Sequence, residues 1–224
     1  MTRLRQAFRA AACFCLFWTA PAFAMDDHWP ALFDVVNVEA SDVLNVRSMP
    51  SADAEIIGQL DASATNVEVI RPNDPKTWGK VNVGERSGWV SLSFLERQPG
   101  QSTRAPIDVR QCFGTEPFWA LSYDAPRIEL TAPDIDPRAG LISGLFTSKG
   151  RRDRFAYAGS FFPSAAGNRD ITMSVRLEAC SDGMSDREYG IGVDMLITRP
   201  DAAGDDSMTG LYSGCCSLSP PPAE

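Results

Sequence analysis

Short stretches in which every second residue is apolar recur along this chain. In "VLNVRS" (43–48), "NVEVI" (66–70), "GKVNV" (79–83) and "GWVSL" (88–92), apolar positions stand two apart, as in the pairs Val67 and Val69 or Val81 and Val83. Such a pattern puts one side chain in and the next out, as in a strand with one buried face. Gly and Pro interrupt it at Pro50, Gly58, Pro72, Pro75, Gly84 and Gly88, which predicts short strands joined by tight turns in a small β-barrel. The pattern returns after residue 110. "RIEL" (127–130) alternates, and "RDITMSVRLEAC" (169–180) puts Ile171, Met173, Val175 and Leu177 on one face with Thr172, Ser174, Arg176 and Glu178 on the other. "GIGVDMLIT" and "GLYSGCC" read as further strands. One-sided alternation favours antiparallel pairing, so six to eight strands in a barrel or compact sandwich are expected. The fold class is therefore all-β, with no helical period competing.

Between the two patterned regions, residues 98–110, "QPGQSTRAPIDVR", are polar and aperiodic, and read as a linker without apolar anchors. They divide a first domain, 32–97, from a second, 111–218. The basic "KGRRDR" (149–154) reads as a solvated hairpin, and the tail 219–224, "SPPPAE", as disordered.

The N-terminal residues change the picture of where such a protein works. Arg3, Arg5 and Arg9 precede an apolar run from Ala10 to Ala20, and Ala22-Phe23-Ala24 gives an A-x-A ending. That order predicts a secretory signal peptide over 1–24, a mature chain starting at Met25, and a periplasmic or secreted location. The run is too short to span a membrane, and no later segment is long enough. Without 1–24, which carry three arginines and no acidic residue, 18 Lys and Arg face 29 Asp and Glu, a net charge of −11. Nucleic acid is disfavoured as a partner, since phosphate binding needs clustered cations.

Four cysteines follow residue 24: Cys112, Cys180, Cys215 and Cys216. In an exported chain an even number reads as disulfides. Of the three connectivities, one joins the neighbours Cys215 and Cys216, whose side chains diverge in an extended strand; the other two stay open. No C-x-x-C is present and the single histidine, His28, lies near the mature start, so neither a zinc site nor any other metal or cofactor is expected.

The first region resembles the bacterial SH3-like domain. Leu44-Asn45-Val46-Arg47, Pro50-Ser51, Ile57-Gly58, Val67-Glu68-Val69, Trp78, Lys80-Val81 and Gly88-Trp89-Val90 carry the resemblance. It implies a non-catalytic module of exported proteins that binds peptides or cell-wall material, with Asn45, Arg47, Trp78 and Trp89 as candidate ligand contacts. Each tryptophan also admits a core reading, which Gly88 favours for Trp89.

The second region resembles a family of uncharacterised bacterial envelope proteins, many of them lipoproteins, through "GTEPFW" (114–119), "CSDGMSDREY" (180–189) and Gly214-Cys215. This resemblance implies a Cys180–Cys215 bond, leaving Cys112–Cys216, and no known reaction. The family's Pro after Tyr189 is replaced here by Gly190, which predicts a looser turn. Catalysis by Glu116 with Asp182 or Asp186 is conceivable, but no histidine stands near any Cys or Ser nucleophile. The two motifs are instead expected to form a structural corner. In it Glu116 is held by the N–H groups of 183–185 or by Arg187, Asp182 and Asp186 cap their own turn, and Trp119 packs beneath. No catalytic residue is assigned. The chain reads as an exported, non-enzymatic envelope binding or scaffold protein whose partner is an envelope protein or a cell-wall component. The alternative is an inhibitor of a cell-wall hydrolase, of the lysozyme-inhibitor kind, or a regulator of a peptidoglycan enzyme.

Overall fold

The computed structural model describes residues 28–101, 107–133, 135–164, 167–199 and 208–219. The predicted signal peptide, residues 102–106 of the linker and residues 220–224 of the tail lie outside them.

The N-terminal unit contains β1 (Ala31–Val35), β2 (Val43–Arg47), β3 (Ile56–Asp61), β4 (Val67–Val69), β5 (Arg71–Pro72), β6 (Trp78–Val83), β7 (Arg86–Ser91), a 3-10 turn (Leu92–Phe94) and β8 (Leu95–Arg97). Two sheets, ordered β4-β1-β8 and β3-β2-β7-β6-β5, face each other. The apolar members of the alternating stretches fill the space between them: Phe33, Val35, Leu44, Val46, Val69, Val81, Val90 and Leu95 are buried together. Gly79 and Gly88 are also buried, and side chains of the core occupy the places their Cβ atoms would take, Val69 at 2.5 Å and Val46 at 2.5 Å.

The C-terminal unit contains β9 (Gln111–Thr115), β10 (Phe118–Asp124), β11 (Arg127–Ala132), β12 (Ile135–Thr147), β13 (Arg154–Ser164), β14 (Gly167–Cys180), β15 (Tyr189–Thr198) and β16 (Gly210–Ser217). Each is antiparallel to its neighbours, and β16 pairs back with β9 to close an eight-stranded barrel. Trp119, Leu121, Tyr123, Ile128, Leu130, Tyr157, Ile171, Met173, Val175, Val193, Met195 and Ile197 fill its interior, so the barrel is a packed core and not a pore. Register shifts at Ile142/Gly144, Phe161/Ser164 and Leu177/Cys180 bend the long strands around that core.

Cys112 is bonded to Cys216 and Cys180 to Cys215, the pairing the resemblance implied. Cys112 and Cys216 face each other directly across β9 and β16, so this bridge staples the seam at which the barrel closes. Cys180–Cys215 ties the end of β14 across to β16.

The linker differs from expectation. Ile107 and Val109 are buried in the barrel core, and the Tyr157 hydroxyl donates to the Ile107 carbonyl. On the other side, Gln101 exchanges hydrogen bonds with both backbone groups of Leu32, at 2.7 and 2.8 Å. Ile107 and Val109 are buried with Asp108 exposed between them, an alternation too short to stand out from the polar residues before it.

Candidate ligand groove and the contact between the two units

A groove of about 410 Å³ opens on the N-terminal unit. Strand β2 exposes Val43, Asn45 and Arg47, the members of its alternation that point away from the core. Trp78 opens β6 and is held in place by Asn73, whose Oδ1 accepts the Trp78 backbone N–H at 2.8 Å. Phe94, on the 3-10 turn, keeps 38% of its surface exposed, and Val38 and Leu44 extend the apolar lining. Glu39 and Asp42 stand at the rim, exposed, with no ion pair to either among the described residues. Arg47 is the one cation among the lining residues, and its Nη1 is already committed to the Ala54 carbonyl at 2.7 Å.

Asn45, Arg47 and Trp78 thus come together at one site, and Trp89 does not join them. Trp89 sits beside Arg47 in register, half-buried on the outer face of its sheet; the core reading fails for it because its neighbours Gly88 and Val90 take the inward positions. Arg71 and Lys80 lie over its ring at 5.1 and 5.4 Å. Phe94, Val38, Glu39 and Asp42 escaped sequence reasoning. They lie in a loop and a turn outside the alternation, where only the aromatic in "SLSFL" gave a hint.

The same two cations lead to the second unit. Glu188 accepts from Lys80 and, at 3.2 Å, from Arg71. Its carboxylate is pulled below the usual range: burial raises it, but the Lys80 hydrogen bond and the charges of Lys80 and Arg71 outweigh that. Around it the segment 186–188 lies along the β6–β7 hairpin. Ser87 N–H donates to the Asp186 carbonyl and Asp186 N–H to the Glu85 carbonyl, both at 3.0 Å; Asn82 Nδ2 donates to the Glu188 carbonyl at 2.9 Å. Arg187 Nε donates to the Gly84 carbonyl at 2.6 Å and Nη2 to Glu85 at 3.1 Å.

Two further contacts complete the docking. Leu32 packs against the barrel core. Glu68, the polar member of the alternating "VEV", points its carboxylate at the end of β16, where Oε2 accepts from the Ser217 hydroxyl and from the N–H groups of Leu218 (2.9 Å) and Ser219 (3.3 Å). Its Oε1 is buried without a partner. Burial raises its pKa more than the three donors lower it.

The expected corner is therefore only partly assembled. The motifs do meet, through the Thr115 hydroxyl and the Asp182 carbonyl at 2.8 Å. Asp182 caps its turn, accepting from Met184 N–H, Ser185 N–H and the Ser185 hydroxyl; although burial pushes its pKa up, these bonds hold it low. Trp119 is buried over Gly114 and Gly214, edge-on to Tyr212. Glu116 is exposed and is held by neither the 183–185 turn nor Arg187, because Arg187 is spent on the N-terminal unit. Asp186 contributes its backbone to that contact instead of capping. Gly190 is buried rather than loose: a Cβ there would lie 2.8 Å from Pro30 Cδ.

Fold and groove together describe a small two-sheet β unit with an open groove, joined to a closed, disulfide-stapled barrel. Residues 42–96 match the family model described as Bacterial SH3 domain, so the N-terminal unit is SH3-like. Strand β1, central in the three-stranded sheet, lies before the matched stretch. No curated protein and no solved structure matches the chain. Among the described residues no helix is long and apolar enough to cross a membrane.

Proposed function

We propose that the protein is an exported, non-enzymatic binding or scaffold protein of the bacterial envelope, with the SH3-like unit as its recognition arm and the barrel as a rigid mount. One observation carries this reading: the groove is lined by the N-terminal unit alone, while the barrel engages other residues of that unit, Glu68 and the Asn82 end of the β6–β7 hairpin. The groove offers apolar and aromatic area with a few polar groups at its edge, the usual make-up of a binding site. Its hydroxyl, on Ser91, is bonded to that of Ser93 at 2.8 Å, and no basic side chain among the described residues is bonded to it. Two disulfides and the basic–apolar–A-x-A leader support export. The test is retention of envelope extract on the full chain. Trp78→Ala and Phe94→Ala are expected to lose the retained component, whereas Leu211→Ser on the barrel keeps it. Equal retention by all four proteins rejects the groove as the recognition site.

A second reading, inhibition of a cell-wall hydrolase, draws on a cleft of about 730 Å³ between the 113–118 and 180–184 segments. Phe118 and Met184 at its edge are 52% and 70% exposed, more than a packing role requires. Protection of cell walls from lysozyme, lost in Phe118→Ser and Met184→Ser, would favour it.

A further inference from the structure

We infer that the groove selects a basic segment of a partner protein, with an apolar side chain seated between Trp78 and Phe94 and a Lys or Arg beside it facing Glu39 and Asp42. This rests on the groove being the recognition site and names what it recognises.

Three observations bear on it. The apolar part of the lining, Trp78, Phe94, Val38 and Leu44, can bury one side chain of moderate size in about 410 Å³. Two carboxylates stand at the rim against one cation, Arg47, and among the described residues neither carboxylate is ion-paired with it. Glu39 and Asp42 are exposed and unpaired; the Asp42 carboxylate accepts only the adjoining Val43 N–H, at 2.8 Å. The cation that would neutralise them, Arg47, is turned to the Ala54 carbonyl. An anionic ligand would meet two unpaired carboxylates there, and a neutral one would leave them without a counter-charge. A ligand ammonium or guanidinium meets them without displacing any bond already made. Other exposed carboxylates such as Glu116 also lack an ion pair among the described residues; what sets Glu39 and Asp42 apart is the aromatic groove beside them, lined by Trp78 and Phe94. The net charge of −11 on the chain after residue 24 adds long-range attraction for a basic partner.

Fluorescence anisotropy of the full chain with three labelled heptapeptides tests the inference. The first is Gly-Lys-Leu-Val-Lys-Ser-Gly; in the others both lysines are glutamine or both are glutamate. The basic peptide is expected to bind about tenfold more tightly than the glutamine peptide, the worth of two exposed ion pairs. The glutamate peptide should bind least. The advantage should shrink toward unity as salt rises from about 0.05 M to about 0.5 M. The variant E39Q/D42N should bring the basic peptide down to the glutamine level, and Trp78→Ala should weaken both.

Glutamine or glutamate peptides binding as well as the basic one overturn the inference, as does E39Q/D42N with unchanged preference. If Trp78→Ala still weakens binding in that case, the groove reading stands and only its charge selection falls. Binding of the basic peptide that survives Trp78→Ala rejects the groove itself. No saturable binding of any peptide, with wild-type chain retained on peptidoglycan sacculi, replaces the protein ligand by a cell-wall one.

Discussion

Glu68, Glu116 and Gly190 show how far a residue's role depends on what it faces. Glu116 has the local signature of a constrained carboxylate, followed by Pro117 and then by Trp119, yet it stands in solvent. Glu116→Ala should shift stability by no more than about 0.5 kcal/mol in chemical denaturation. Gly190 reads as loosening its turn, yet its missing Cβ makes room for Pro30. Gly190→Ala should cost about 1–3 kcal/mol, the range for overpacking. Glu68 carries the pH prediction. Its folded pKa is raised above the ordinary 4.5 by burial. The folded state therefore favours the protonated form, and the associated stability is full below 4.5 and lost as pH rises through the raised value. Glu68→Gln, which carries no charge, should be at least as stable as wild type at pH 7. That advantage should vanish as pH falls below 4.5. An unfavourable Glu68→Gln at every pH would mean the carboxylate is well paired after all.

Among the elements, β15 explains why alternation was legible in some strands and not in others. β10 and β14 have one face on the core and one in water, and their sequences alternate accordingly. The first five residues of β15, Tyr189 to Val193, are all buried, because Pro30 covers Gly190 on the outside and Glu178 lies over Gly192. A strand covered on both sides loses the polar half of its pattern. The arm 181–188 reads as a self-capped turn. Asp182 does cap, but Asp186, Arg187 and Glu188 turn outward to the β6–β7 hairpin, a partner about a hundred residues away in sequence. A double-mutant cycle on Lys80 and Glu188 should give a coupling of about 0.5–1 kcal/mol, modest because Glu188 remains partly exposed. Glu188 titrates with the opposite sign to Glu68. Its lowered pKa supplies stability above 4.5 that is lost as pH falls through the folded value, so the coupling should fade in acid.

For the whole molecule, the contact between the units predicts joint behaviour. Leu32 on the barrel core, Pro30 on Gly190, the Glu68 carboxylate and the 186–188 segment all join one unit to the other. Calorimetry of the full chain should show one transition, and a chain limited to residues 25–100 should melt at a lower temperature. Two separate transitions at the temperatures of the isolated units would contradict this. The two disulfides should also differ. Cys112–Cys216 closes a loop of 104 residues, worth about 5 kcal/mol in the chain-entropy model, and Cys180–Cys215 one of 35, worth about 4 kcal/mol. Replacing Cys112 and Cys216 by Ala removes the larger restraint and opens the seam of the barrel, so that pair should lower the melting temperature more. Replacing Cys180 and Cys215 frees the arm, and should weaken the contact between the units while leaving the barrel folded.

The all-β class and the SH3-like strand series followed from the sequence alone, and the resemblance to bacterial SH3-like domains pointed to Asn45, Arg47 and Trp78, which line the groove. Each rests on local periodicity or on a short motif, and a period of two records which face of a strand meets water whatever the partner is. The rest of the groove, the burial of Ile107 and Val109 in the barrel core, the outward turn of Arg187 and Glu188 and the burial of Glu68 were decided only in three dimensions. All of these depend on which surface lies opposite. A polar side chain looks the same in sequence whether it faces water, a free ligand groove or the backbone of a second barrel.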